Sequence, residues 1–121
     1  LHLPGNAHTR GIVKREDLDR MKSSALLVNT SRASIIEEGA LVEALRIGRP
    51  GRAAVDVYEQ EPVVGAAHPL LAMDNALCTP HLGYTDRLGY ETMYGHAVDQ
   101  LLAFAAGAPI NVVNPSAIGT R

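Results

Sequence analysis

The sequence is short of several things, and each shortage removes a class of protein. A single cysteine, Cys78, stands in 121 residues, so no internal disulfide can form. That fits a reducing compartment, with the cytoplasm as the expected address. Basic residues are not in excess: 11 Lys and Arg face 13 Asp and Glu, for a net charge of −2. Nothing therefore points to nucleic acid or an anionic membrane, which call for a concentrated basic patch. No apolar run approaches the roughly 20 residues that span a bilayer. Leu1-His2-Leu3-Pro4 shows no basic region leading into an apolar one, so no signal peptide is expected. The start also lacks methionine and is apolar, as if the chain were cut partway through a strand. There is no internal repeat or low-complexity tract. Cys78 lies three residues before His81, but with no second cysteine and His2, His8, His68 and His96 scattered, no metal site is expected. Those four histidines read as solvent or packing residues. The remaining composition, close to half apolar, is that of a small globular domain with a core.

The most informative stretch is Leu26-Leu-Val-Asn-Thr-Ser-Arg32 followed by Ala33-Ser-Ile-Ile-Glu-Glu38. An apolar run stops at polar residues, a lone arginine follows, and a helical pattern opens. This predicts a buried strand over 25–29 emptying into a loop, with an amphipathic helix over 37–47. In that helix Leu41, Ala44 and Leu45 share a stripe, and Glu37 and Glu38 suit the positive end of the dipole. Gly48-Arg49-Pro50-Gly51 stops it. Residues 1–3 read as the end of a strand broken by Pro4-Gly5, and 14–21 as a short helix. Further strands are expected over 53–57, buried on both faces, and over 75–78, with a loop over 59–67 and one helical turn over 68–73 between them. The longest helical candidate is 85–106, whose stripe of Met93, Ala97, Leu101 and Phe104 reads as core packing. Residues 110–113 could be extended, and 114–121 form a loose tail. Helices alternating with short apolar strands argue for an α/β fold with a parallel, incomplete sheet.

Strands of a parallel sheet deliver their carboxyl ends to one rim, where ligands of such sheets bind. These ends carry Arg32, then Asp56 and Glu61, then His81. Alone, Arg32 reads equally well as a surface arginine and His81 as a loop histidine. A carboxylate at Asp56 within an apolar strand needs a partner. Either Glu59 or Glu61 could face the rim. Together, a guanidinium, a carboxylate and an imidazole point to acid–base chemistry on a substrate with an anionic group.

Four ordered motifs carry a family likeness: Leu27-Val-Asn-Thr-Ser-Arg32, Glu37-Glu-Gly-Ala-Leu-Val-Glu-Ala-Leu45, Ala54-Val-Asp-Val-Tyr-Glu-Gln-Glu-Pro62 and Thr79-Pro-His-Leu-Gly83. Over nearly its whole length the chain resembles the carboxyl-terminal part of the cofactor domain of NAD-dependent D-isomer-specific 2-hydroxyacid dehydrogenases, including the phosphoglycerate, glycerate and D-lactate enzymes. The resemblance implies a Rossmann-like, doubly wound parallel sheet, incomplete here. Residues 1–107 would be the C-terminal part of the NAD(P)-binding domain and 108–121 a tail. It implies hydride transfer between NAD, or NADP, and a small 2-hydroxy or 2-keto acid, in a homodimer. It makes Arg32 the arginine that binds the substrate carboxylate and polarises its carbonyl, His81 the general acid or base, and Glu61 the partner of the imidazole. An anion there is expected to favour the protonated ring. Asp56 would contact the nicotinamide carboxamide. Thr30, Ser31 and the loop of His81, Gly83 and Tyr84 would touch the nicotinamide half, and Leu3 would lie near the ribose and phosphates.

The chain departs from the family in two ways. No G-x-G-x-x-G turn, the seat of the pyrophosphate, appears in it, and neither does a substrate domain. The isolated chain is therefore expected to bind NAD poorly and to be inactive. Ala33 stands where the family usually has glycine, and alanine disfavours positive φ, so the backbone there could differ. Three other readings compete: an NAD-sensing corepressor-like module, a formate dehydrogenase (which places glutamine where Glu61 stands), and an inactive remnant.

Overall fold

The computed structural model describes residues 1–118, and they group into two compact units, Leu1–Gly83 and Tyr84–Arg121. Within the first, three short strands, β1 (Leu26–Asn29), β2 (Arg52–Val55) and β3 (Ala76–Cys78), form one parallel sheet in the order β1-β2-β3. Leu27 lies opposite Ala53 and Ala53 opposite Ala76, so all three carboxyl ends reach the same rim. Strand alternation sorts the side chains: Leu27 and Asn29 of β1 and Ala53 and Val55 of β2 face inward.

Helix α2 (Ala40–Arg46) supplies the matching apolar stripe, with Ala40, Leu41, Ala44 and Leu45 all buried, as the sequence pattern predicts. Helix α1 (Arg15–Asp19) adds Leu18, and a 3-10 turn over Pro69–Ala72 adds Leu70 beside β3. Burying each such leucine stabilises the unit by roughly 1.5–3 kcal/mol. This half-layer is what holds the rim in place.

Several expectations are corrected. Residues 1–3 form no strand, although they run beside β1: the Leu1 ammonium donates to the Val28 carbonyl, and Leu3 N–H to Ser31 Oγ at 3.1 Å. β2 is not buried on both faces, for Leu26, Val28 and Leu77 on the opposite side of the sheet are 58, 42 and 67% exposed. Glu37 and Glu38 precede α2, which begins only after Gly39 at φ +74°. Glu37 instead accepts Arg15 N–H at 3.0 Å, satisfying an unpaired donor in the first turn of α1. Residues 110–113 form no strand.

In the second unit, Asp86 caps α3 (Arg87–Ala105) by accepting Gly89 N–H at 2.8 Å. Gly107, at φ +75°, ends it by bonding back to the Phe104 carbonyl at 3.1 Å. No residue of α3 is buried, so the Met93, Ala97, Leu101 and Phe104 stripe is not core packing here. Periodicity says which face would be covered, not by what. A 3-10 turn over Pro115–Ala117 follows, and the end of the expected loose tail lies outside the described residues. Among the described residues, no helix is long and apolar enough to cross a membrane.

Candidate active site

Asn29 ends β1 and shapes the loop that presents Arg32. Its side chain, 1% exposed, accepts Ser31 N–H at 3.1 Å and donates to the Arg32 carbonyl at 3.0 Å. An Asn that satisfies two nearby backbone groups imposes a turn. Arg32 follows in extended conformation (φ −144°), its stem against Gly5, where an added Cβ would come within 2.7 Å of Arg32 Cγ. Ala33 starts a 3-10 turn and is not among the residues with positive φ, so the departure from glycine carries no strain. Among the described residues Arg32 makes no ion pair.

Asp56 directly follows β2 and is 3% exposed. Its Oδ1 accepts Thr79 Oγ1–H at 2.5 Å and Leu82 N–H at 2.8 Å, and its Oδ2 accepts Gly83 N–H at 2.7 Å. Burial alone would raise the carboxyl, but these three donors and the charge of His81 bring it below its ordinary value. Of about four acceptor sites on a carboxylate, three are taken. Asp56 thus has an internal job that the sequence did not reveal. That job is holding His81, whose φ of +57° lies in the left-handed region. Such a backbone costs on the order of 1–3 kcal/mol and persists only where its surroundings hold it. The two residues after His81 are tied to Asp56, and that tie fixes the turn.

The structure joins His81 to Glu61, Nδ1 to Oε2 at 2.6 Å. Glu61 Oε1 also accepts Tyr58 N–H at 2.8 Å. Burial works to raise this carboxyl, yet the bonds from His81 and Tyr58 and the charges of His81 and Arg32 hold it below the usual range. Because a carboxylate only accepts, His81 Nδ1 carries the proton and Nε2 is the nitrogen turned away from Glu61. Glu59 faces elsewhere and meets His68, Nε2 to Oε2 at 2.8 Å. His68 is therefore not a bystander.

A cavity of about 530 Å³ opens beside His81, lined also by Tyr58, Glu61, Leu71 and Cys78. Arg32 lines a neighbouring cavity of about 560 Å³ with Arg10, Tyr58 and Glu59. Across the two, the charge of Arg32 helps to lower the Glu61 carboxyl. Burial pushes the Tyr58 phenol up and keeps it a donor, to the Thr79 carbonyl at 3.0 Å.

The expected cofactor contacts fall partly together. Ser31 Oγ bridges the Leu3 amide and carbonyl. A Cβ added to Gly83 would lie 3.5 Å from Thr30 Cβ and 3.0 Å from Asp56 Oδ2, so backbone and Thr30 approach closely there. Tyr84 belongs to the second unit and is 64% exposed. The sequence reading missed Asn29, Tyr58, Thr79, Gly5 and the Glu59–His68 pair. Only Asn29, a turn-former at a strand end, carried a local signal. Among the described residues no group of three or more His, Cys, Asp or Glu could hold a metal ion.

Comparison with known proteins shows the family. Residues 1–83 match the model for the D-isomer specific 2-hydroxyacid dehydrogenase, NAD binding domain. The chain is 41% identical to a glyoxylate reductase from Aeropyrum pernix, an alignment that takes in all of this chain and 36% of that protein. It superposes on a phosphoglycerate oxidoreductase from Vibrio cholerae with a TM-score of 0.82 and 47% identity, over 89% of this chain and 34% of that one. A D-isomer specific 2-hydroxyacid dehydrogenase from Xanthobacter autotrophicus in complex with NADPH and MES gives a TM-score of 0.67 and 36% identity, over 97% and 48%. The chain spans about a third of the length of the curated relative.

Proposed function

Because the chain belongs to the D-isomer specific 2-hydroxyacid dehydrogenase family through its NAD binding domain, we propose that it supplies the acid–base half of an NAD(P)-dependent oxidoreductase. The reaction interconverts a D-2-hydroxy acid and a 2-keto acid. The observation that carries this reading is the 2.6 Å contact of His81 Nδ1 with Glu61 on the strand rim that also bears Arg32.

Each residue then has a task. Arg32, in no ion pair among the described residues, holds the substrate carboxylate with its planar fork and draws charge from the adjacent carbonyl. His81 gives a proton from Nε2 to the carbonyl oxygen in reduction and takes it back in oxidation. Glu61 fixes the ring and offsets its charge as the proton moves. Asp56 holds the turn that aims His81. The residues fit a nicotinamide ring, since the backbone at Gly83 comes close to Thr30 with no side chain between, and Asp56 keeps one acceptor site on Oδ2. Thr30, Ser31, Gly83 and the remaining Asp56 site would hold that half, with Leu3 beside the sugar and phosphates. When bound, the nicotinamide supplies or receives the hydride. NAD is the cofactor named by the family, and the NADPH-bound relative supports NADP as well. In this reading residues 1–107 are the carboxyl-terminal part of the cofactor domain and 108–121 its tail, and the working protein is a cytoplasmic homodimer.

The test is ketoacid-dependent oxidation of NADH and NADPH with glyoxylate and hydroxypyruvate. It is run on this chain and on any longer polypeptide that carries it. Lacking a Gly-rich phosphate turn, the chain alone is expected to show weak NAD binding in calorimetry. Turnover by the longer form falls sharply with His81→Ala, and undiminished turnover would sink the reading.

A further inference from the structure

The loop from Tyr58 to Pro62 sends its two glutamates in different directions, and each meets an imidazole. Glu61 meets His81 at 2.6 Å, and Glu59 meets His68 at 2.8 Å. The second pair has no place in the chemistry above. His68 has both ring nitrogens engaged within the protein. Nδ1 accepts Leu70 N–H at 3.3 Å, so Nε2 carries the proton that Glu59 accepts. A ring so committed exchanges no proton with a substrate, but it is well anchored. It caps the turn over Pro69–Ala72, whose Leu70 is 4% exposed in the core. Its edge also packs on Tyr58, with centroids 5.1 Å apart at 66°.

Tyr58 connects the two pairs. Its ring touches His68, its hydroxyl donates to the Thr79 carbonyl at 3.0 Å, and its N–H donates to Glu61 Oε1 at 2.8 Å. Apart from these ties the loop is poorly held: Glu59, Gln60 and Glu61 are exposed, and regular structure resumes only at Val64. A carboxylate on such a loop has no reason to stay within 2.6 Å of His81 unless the loop is fixed from its other side.

We propose that Glu59 and His68 are positioning residues, a second imidazole–carboxylate pair that clamps the loop to the core so that Glu61 is delivered to His81. The inference rests on the reading of His81 and Glu61 as the working pair, and it makes the opposed directions of Glu59 and Glu61 the functional feature of this loop.

The test is a double-mutant cycle on ketoacid reduction by the intact protein. Glu59→Ala releases the clamp and lowers kcat roughly ten- to a hundredfold, the scale on which a misplaced group costs rate, with KM for the cofactor unchanged within about twofold. Glu59→Gln retains most of the rate, because an amide oxygen still accepts the neutral Nε2–H. With Glu61→Ala already present, Glu59→Ala adds less than about twofold, as expected for residues that act through one another. The NMR resonance of the His81 Nδ1 proton persists in Glu59→Gln and is lost to exchange in Glu59→Ala. His68→Phe, which keeps a ring against Tyr58, reproduces the loss independently. Full kcat in Glu59→Ala or His68→Phe, or losses that multiply with Glu61→Ala, overturns the clamp. If Glu61→Ala alone keeps full kcat, the working-pair reading itself fails and the clamp falls with it. That outcome shows in the single variant and cannot be confused with the others.

Discussion

His81–Glu61 and His68–Glu59 are built from the same two side chains, draw their glutamates from the same loop and have nearly the same contact distance, 2.6 against 2.8 Å. They differ in what holds the imidazole. His68 sits at the start of a turn in relaxed extended backbone, φ −83° and ψ 131°, and spends its second nitrogen on a backbone N–H. His81 sits at φ +57°, and the strain is held by Asp56 through the amides of Leu82 and Gly83. An imidazole–carboxylate contact is thus not a catalytic signature by itself. In the proposed reaction the ring that serves chemistry is His81, whose backbone is held by a buried carboxylate and whose Nε2 points away from Glu61. Strained backbone of this kind gathers where a side chain must be aimed.

Breaking each ring in turn gives the largest expected effect. His81→Gln removes the acid–base group and lowers turnover by roughly 10²–10⁴-fold. His68→Gln is expected to cost at most about a hundredfold, since it disturbs aim and not chemistry. Equal losses in steady-state assays of the two variants would erase the distinction.

The distinction was only partly legible in the sequence. The strand ends were readable because apolar runs stop at Asn29, Asp56 and Thr79, and α2 because Leu41, Ala44 and Leu45 recur at helical spacing. The pairing of glutamates with histidines was not. Glu59 and Glu61 are two residues apart on an irregular loop, where side-chain direction follows no period. The occupation of Asp56 was hidden too, since its three donors come from residues 23 to 27 positions later and meet it only once β2 and β3 are paired. The exposed stripe of α3 failed for another reason: a pattern specifies an apolar face, while the cover for it has to be present in the chain.

Next in size is the support beneath His81. Asp56→Asn replaces a carboxylate accepting three donors with an amide that must turn an N–H toward at least one of them. Hydrogen bonds to a charged group are worth about 1.5–3 kcal/mol, and a loss of about that size is expected in urea unfolding near neutral pH. The sign with pH follows from the depressed native value of Asp56. The stabilisation is fully present above the unfolded carboxyl value of about 3.9 and fades as pH falls through the native one, so wild type and Asp56→Asn converge in acid. Glu61, also depressed, behaves likewise below its unfolded value of about 4.3, and Glu61→Gln flattens part of the same acid limb. A gap between wild type and Asp56→Asn that stays constant down to strong acid would show that Asp56 is not the ionised anchor of the turn.

The smallest effect separates the two pairs most cleanly. Gly83 is not at positive φ, so alanine meets no backbone penalty there, but its methyl would come within 3.0 Å of Asp56 Oδ2. The carboxylate must yield by a few tenths of an ångström, and with it the bonds that hold His81 at its φ. Gly83→Ala is expected to cost under about 1.5 kcal/mol of stability, the lower part of the range for overpacking. Turnover should fall several-fold, because the shift lands on the aimed ring. His68 is reached from Asp56 only indirectly, through Thr79 and Tyr58, so its Nε2–H resonance should move far less than that of His81 Nδ1. Equal movement of both signals would mean that Gly83 bears on the whole loop and not first on the turn of His81.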